Sequence, residues 1–287
     1  MHAEYYLTIK CPDRPRLVSS ITSFIAQSGC NILDLRQHTA EDLGVFFFKA
    51  RFLASLVEGT EAAFEETFSS EFSPIATGFG MDWQLIPRSR KRRVAILVSK
   101  TDHCLYELLL KHRDGELDCD FPVIISNHPD LAPLAAQFDI PYHQVDTGGG
   151  RAACEAAIQE QLDAYAIDLV VMARYMQILT PEFTRAWDGR IINIHHGFLP
   201  AFKGAKPYHQ AWFKGVKLIG ATAHFANEEL DQGPIISQDV VRVSDTASIA
   251  EFVRLGKDIE RKVLADALAL YLTHSVFVHE GRTFVLR

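Results

Sequence analysis

Cysteine is scarce: there are five in 287 residues, Cys11, Cys30, Cys104, Cys119 and Cys154, and no two form a C-x-x-C pair. Scattered and odd in number, they suggest neither a disulfide framework nor a zinc knuckle, and they fit a reducing compartment. Long apolar runs are missing too. Nowhere do about eighteen apolar residues follow one another, so no membrane-spanning helix is expected. The opening stretch Met1-His2-Ala3-Glu4-Tyr5-Tyr6 has no basic region followed by an apolar one, so a cytoplasmic protein is expected and a secreted one is not. Positive charge is in deficit, with 29 Lys and Arg against 36 Asp and Glu and a formal charge of −7. That balance argues against a surface for nucleic acid, which is held mainly by clustered cations. The single dense basic run, Arg88-Ser89-Arg90-Lys91-Arg92-Arg93, reads as a solvated linker because no other segment extends it. Internal repeats and low-complexity stretches are also absent.

What remains is ordinary globular material, 48% hydrophobic, enough for two cores of unequal size. Tyr5 to Cys11 alternates like a strand, and Asp13-Arg14-Pro15 opens a helical pattern with Leu17, Ile21, Phe24 and Ile25 on one face. Gly29 stops it. Asn31 to Thr39 and Val45 to Phe52 read as strands around a Glu41-Asp42-Leu43-Gly44 hairpin, followed by a helix over Ala62 to Phe68 and a strand near Trp83 to Ile86. The order β-α-β-β-α-β is the ferredoxin-like split βαβ arrangement, with helices on one face of an antiparallel sheet. Residues 1–87 resemble the ACT domain, a module that commonly binds an amino acid. The resemblance implies an effector site at Asp13, Arg14 and Asn31 and a homo-oligomer, a tetramer favoured, held by this domain. Arg16 stands where the family's turn usually has glycine.

Residues 88–93 are then the linker, and residues 94–287 form a second domain of strands alternating with longer helical patterns, the signature of a Rossmann-like α/β fold with a mostly parallel sheet. Strands are expected at Val94 to Val98, Pro122 to Ser126, Tyr142 to Val145, Leu169 to Met172 and Arg190 to His195. Helices are expected at Tyr106 to Arg113, Leu131 to Phe138 and Ala152 to Tyr165. Lys217 to Phe225 and Ile235 to Val243 add two strands around an acidic loop. Ser248 to Leu272 reads as a long amphipathic helix, and a last hairpin turns near Glu280-Gly281. Ligands in such sheets sit beyond the C-terminal ends of the strands.

Polar groups concentrate in Asn193-Ile194-His195-His196-Gly197. Residues two apart on a strand share a face, so Asn193 and His195 converge and can donate two hydrogen bonds to an oxygen gaining negative charge. Taken alone, an Asn-x-His tripeptide could equally end a strand and bind a loop. His195 and His196 diverge as neighbours on a strand, and no second ligand pair accompanies them, so no metal is expected. The acidic loop His224 to Pro234 could be mere solvated surface, or it could hold a carboxylate, Asp231, that positions a water and relays its proton.

Three runs occur together and in order: Ala173-Arg174-Tyr175-Met176-Gln177-Ile178-Leu179-Thr180-Pro181, Asn193-Ile194-His195 with Phe198-Leu199-Pro200, and His224 through Pro234. From about Val94 onward the chain resembles the folate-dependent formyltransferase superfamily. The resemblance assigns catalysis to Asn193, His195 and Asp231. It assigns the folate walls to Met176, Gln177, Ile178, Leu179, Phe225, Ala226, Asn227 and Glu228. An ACT-like domain ahead of this fold points to the superfamily's hydrolytic branch. That branch releases formate from 10-formyltetrahydrofolate, balancing one-carbon pools and supplying formate for purine synthesis. The folate is then substrate, and no metal or redox cofactor is implied. Gly197 departs from the serine usual there, which touches the loop and not the three catalytic positions. The alternatives are formyl transfer to an amine, as in glycinamide ribonucleotide or methionyl-tRNA formyltransferases, and an inactive amino-acid-sensing regulator. Ser99-Lys100-Thr101-Asp102-His103-Cys104-Leu105, with no glycine and an added carboxylate, is a poor cradle for an acceptor's phosphate and favours water as the nucleophile.

Overall fold

The structure is a computed structural model and describes residues 2–56, 60–201 and 206–287. The chain divides into two compact units: Met1–Lys91 with Thr273–Phe277 and Phe284–Arg287, and Arg92–Leu272 with Val278–Thr283. The first contains β1 (His2–Pro12), α1 (Leu17–Gln27), β2 (Cys30–Ala40), β3 (Val45–Ser55), α2 (Glu61–Phe79) and β4 (Asp82–Pro87). Its antiparallel sheet has the order β2-β3-β1-β4, the βαββαβ arrangement expected. Tyr5, Leu7 and Ile9 of β1 point to one face and pack under Leu17, Ile21, Phe24 and Ile25 of α1 and Phe68, Phe72 and Ala76 of α2. Helix α2 is much longer than the Ala62 to Phe68 segment read from sequence. Phe68, Phe72 and Ala76 continue one buried stripe, and Pro74 falls on the exposed side, where its missing N–H is tolerated.

Alternate residues of β3 face the other way. Val45 and Phe47 pack with Phe277, Phe284 and Leu286, and the Phe47 and Phe284 rings lie 4.5 Å apart. Residues 273–277 and 284–287, expected within a 94–287 domain, therefore cluster with the N-terminal unit. A sheet face without helices needs an apolar cover, and nothing in a short hairpin's sequence says which sheet it covers. The basic run is also not a free linker. Arg88 pairs with Glu4 at 2.9 Å, Arg90 with Glu65 at 3.8 Å, and Arg92 and Arg93 already belong to the next strand.

The second unit contains β5 (Arg92–Val98), α3 (His103–Arg113), β6 (Cys119–Ser126), α4 (Ala132–Gln137), β7 (Tyr142–Gln144), α5 (Arg151–Ala164) and β8 (Leu169–Met172). It continues with α6 (Pro181–Ala186), β9 (Ile191–His195), α7 (Pro207–Phe213), β10 (Leu218–Phe225), β11 (Ile235–Arg242) and α8 (Ile249–Leu272), and a hairpin of β12 (Val276–His279) and β13 (Arg282–Val285) ends the chain. The seven-stranded order is β11-β10-β9-β8-β5-β6-β7. The five strands from β9 to β7 are parallel, and β10 and β11 are antiparallel. Val94 to Val98 are fully buried, as befits a central parallel strand covered on both faces. The chain runs outward from β5 to β7 and then returns to β8 on the other side of β5, so the topological switch point lies between β5 and β8. Helices α6 and α7 were not anticipated; at six and seven residues they are too short to show a period, although each starts with proline.

Candidate active site

Strand β9 presents Asn193 opposite His224 of β10, and His195 opposite Thr222. His195 is 4% exposed, and its Nδ1 lies 3.2 Å from Oδ2 of Asp231. The Asn193 amide nitrogen lies 3.2 Å from His224 Nε2, which is 3.9 Å from the other Asp231 oxygen. His224 Nδ1 is 2.9 Å from the Phe225 carbonyl oxygen, which can only accept, so Nδ1 carries the hydrogen and Nε2 accepts from Asn193. Burial lowers the His224 pKa and keeps this imidazole neutral. One amide hydrogen of Asn193 is thereby used to hold its orientation, and the second remains for a ligand. The role of His224 is not visible in the sequence of the acidic loop it begins, because only the strand pairing sets it opposite Asn193.

The loop that brings Asp231 to His195 closes through glycine. A Cβ on Gly233 would lie 1.7 Å from the Phe225 carbonyl oxygen, where Phe225 N donates to Pro234 O at 2.9 Å. Asp231 itself has a left-handed backbone, φ 56°, a strain that aspartate tolerates better than most residues and that marks functional loops. After His195 the chain is pinned by buried Thr222, which donates to Gly197 O at 2.9 Å and accepts from Leu199 N at 3.1 Å and Gln238 Nε2 at 2.8 Å. A Cβ at Gly197 would come within 2.9 Å of His195 Nε2, so glycine lets this loop lie against the imidazole. Residues 202–205, which follow this loop, lie outside the described residues.

A cleft of about 400 Å³ opens beside this group. Asn193, His224 and Asp231 line it, together with Gln177, Ile178 and Leu179 on one wall and Ala226, Asn227 and Glu228 on another. Met172, Thr184, Glu229 and Leu230 also line it and were missed, because only the packing turns them inward. Two expected wall residues do not take part. Phe225 is 5% exposed with its ring against Tyr271, and Met176 is 57% exposed and is not among the residues that line the cleft. Gln177, Ile178 and Leu179 also border a second depression of about 310 Å³ that contains Arg151.

Residues 92–268 match the formyl transferase family model, and residues 5–62 match the ACT domain. A formyltetrahydrofolate deformylase from Synechocystis sp. is 45% identical over 280 residues, 97% of this chain and 97% of that protein. The chain belongs to the formyltetrahydrofolate deformylase family. A crystal structure of a formyltetrahydrofolate deformylase from Pseudomonas syringae superposes with a TM-score of 0.94 at 42% identity, covering 100% of this chain and 95% of that one. The glycinamide ribonucleotide transformylase 1 of Symbiobacterium toebii matches at TM-score 0.66 and 30% identity, covering 69% of this chain and 95% of that one. The deformylase family relationship thus spans both units, while the transformylase likeness covers a smaller part.

Within this deformylase family member the expected effector residues do not converge. Asp13 follows Pro12, which pairs with Val45, whereas Asn31 pairs with Leu53, itself opposite Glu4. Nine residues of strand separate Asp13 from Glu4, about 30 Å at roughly 3.3 Å each, so Asp13 and Arg14 lie at the opposite end of the sheet from Asn31. Arg16 has φ 76°, the left-handed conformation that explains the glycine usual at this turn. Among the described residues, no helix is long and apolar enough to cross a membrane. His103, Cys104 and Glu260 lie close enough to suggest a cation, their candidate ligand atoms within 4.8 Å. Burial pushes the Cys104 thiol well above its usual pKa, which opposes a thiolate ligand.

Proposed function

We propose that this chain hydrolyses 10-formyltetrahydrofolate to tetrahydrofolate and formate, with Asn193, His195 and Asp231 carrying the chemistry. The observation that carries this reading is the 3.2 Å contact between His195 Nδ1 and Asp231 Oδ2, with Asp231 and Asn193 both lining the cleft. A water held by Asp231 loses a proton to the carboxylate as its oxygen attacks the formyl carbon. The resulting oxyanion takes hydrogen bonds from the free amide hydrogen of Asn193 and from the His195 ring. As the C–N10 bond breaks, the proton taken by Asp231 goes to N10, and formate leaves with the new C–O bond. Exposed Met176 and Ile178 beside the cleft favour an apolar ring system as ligand, and Arg151 supplies a cation for the carboxylates of a folate tail. The same reading takes no metal or redox cofactor and places the protein in the cytoplasm. It treats the ACT unit as the site of homo-oligomer contacts, supported by the eleven-residue edge strand β2.

The deciding experiment follows formate and formylated ribonucleotide together, with 10-formyltetrahydrofolate in the presence and absence of glycinamide ribonucleotide. Formate at the same rate in both is the expected result. Faster formation of formylated ribonucleotide would make the chain a transferase, and neither product would leave the inactive regulator standing.

A further inference from the structure

A second group of buried polar side chains lies beyond the ends of β5, β8 and β9 and takes no part in the chemistry above. Glu260 of α8 is 1% exposed and accepts hydrogen bonds from the Tyr208 hydroxyl at 2.7 Å and His103 Nε2 at 2.9 Å, with Arg174 Nε 3.5 Å away. These four residues come from α7, α8, the first turn of α3 and the segment after β8. An open α/β sheet takes its ligands in the crevice at the switch point, here between β5 and β8. That crevice is bridged by protein. Met176 N, beyond β8, donates to Ser99 Oγ, beyond β5, at 3.0 Å, and His103 and Arg174 meet on one carboxylate. Tyr208 fills the space along α8, because a Cβ on Gly256, one turn before Glu260, would lie 2.1 Å from its Cζ.

His196 stands between this group and the reacting one, its ring centroid 5.9 Å from that of Tyr208 and 5.5 Å from that of His195. The group is costly to keep. Arg174 has φ 65°, and His103 Nδ1, Arg174 Nε and Arg174 Nη1 are buried without a hydrogen-bond partner among the described residues. Strain and unsatisfied polar atoms gathered in one place indicate a function other than stability.

We infer that Tyr208, Glu260, His103 and Arg174 form a plug that closes the switch-point crevice to any amine acceptor, leaving water to reach the formyl carbon. This rests on the hydrolase reading. An amine needs a wide path and a binding surface beside the folate, whereas water needs only a narrow path to the Asp231 carboxylate. With an amine the new bond is C–N, the C–N10 bond breaks, and the amine's proton ends on N10, so the outcome is set by access alone. Full-length protein and the variants Tyr208→Phe, Tyr208→Leu and Tyr208→Ala are given 10-formyltetrahydrofolate with glycinamide as a small primary amine, and formylglycinamide and formate are both measured. The ratio of formylglycinamide to formate rises at least tenfold in Tyr208→Ala, by less in Tyr208→Leu, and stays at the unaltered chain's value in Tyr208→Phe. An unchanged ratio in both truncations overturns the plug, and so does a rise in Tyr208→Phe equal to that in Tyr208→Ala. Loss of formate release in both truncations, whatever its origin, also counts against a closing role. Absence of formate from the unaltered chain would instead overturn the hydrolase reading.

Discussion

The two units bury polar groups in different ways. In the N-terminal unit the buried polar side chains among the described residues are Lys49 and Ser275, and they hydrogen-bond each other at 2.8 Å. Its centre is otherwise aromatic, with Phe24, Phe52, Phe64 and Phe72 around Phe68 at centroid separations of 5.0 to 5.8 Å. The second unit buries many more, among them His103, Asn127, His195, His224 and Glu260 at or near strand ends or in the helices around them, and Thr222 within β10. A buried polar group without full compensation costs stability, so a unit built only to fold avoids it. The contrast separates a core held by area and ring contact from one that gives up some stability for chemistry.

Asp231→Asn tests that contrast most severely. It keeps size and polarity but removes the proton acceptor, so formate release falls by at least about three orders of magnitude while folate binding stays within about tenfold. Near-normal turnover would make Asp231 a structural partner of His195. Asn193→Ala removes one oxyanion donor and lowers kcat by about 10² to 10³, and a loss below about tenfold would show that this amide only holds His224. In the N-terminal unit, Phe68→Ala should cost about 3–5 kcal/mol by chemical denaturation. Turnover per folded molecule should stay within about twofold, since Phe68 packs within the N-terminal core and not against the reacting group. A large fall in kcat without loss of stability would erase the division of labour.

The smallest effect is acid sensitivity. Burial, then the charge of Arg174, lowers the His196 pKa to about 3, against the opposing pull of Glu260 and Asp231 and with help from His195. Below the unfolded value near 6.5 the unfolded chain takes up a proton that the native chain refuses, so stability falls as pH drops from 6.5 toward 3. His196→Asn should flatten the decline in urea midpoint between pH 7 and pH 5 by an amount worth about 1–2 kcal/mol. An identical decline in both proteins would assign the acid sensitivity elsewhere.

The geometry of the proposed site was partly legible in the primary structure. The return of Asp231 through Gly233 became visible only in the packing against Phe225 O, whereas Asn193 and His195 share a strand face by a period of two, a local feature. The two architectures followed from strand and helix periods for the same reason. Errors arose where a distant surface decides the outcome: α2 ran on past Phe68 because the sheet offered it further core, and the basic run folded onto Glu4 and Glu65.

Periodicity, turn residues and motif spacing are short-range properties, and they determined most of the order of elements, both fold classes and the shared strand face of Asn193 and His195. Tertiary structure alone decided the rest. It set His224 opposite Asn193 and fixed its tautomer, turned Met172, Thr184 and Leu230 toward the cleft while leaving Met176 and Phe225 out of its lining, and gathered His103, Arg174, Tyr208 and Glu260 from four separate segments onto one carboxylate. It also separated Asn31 from Asp13 by the length of a strand. The physical reason is common to all of these: cross-strand register, strand order and the meeting of loops at strand ends depend on residues far apart in the chain, and no local pattern carries that information.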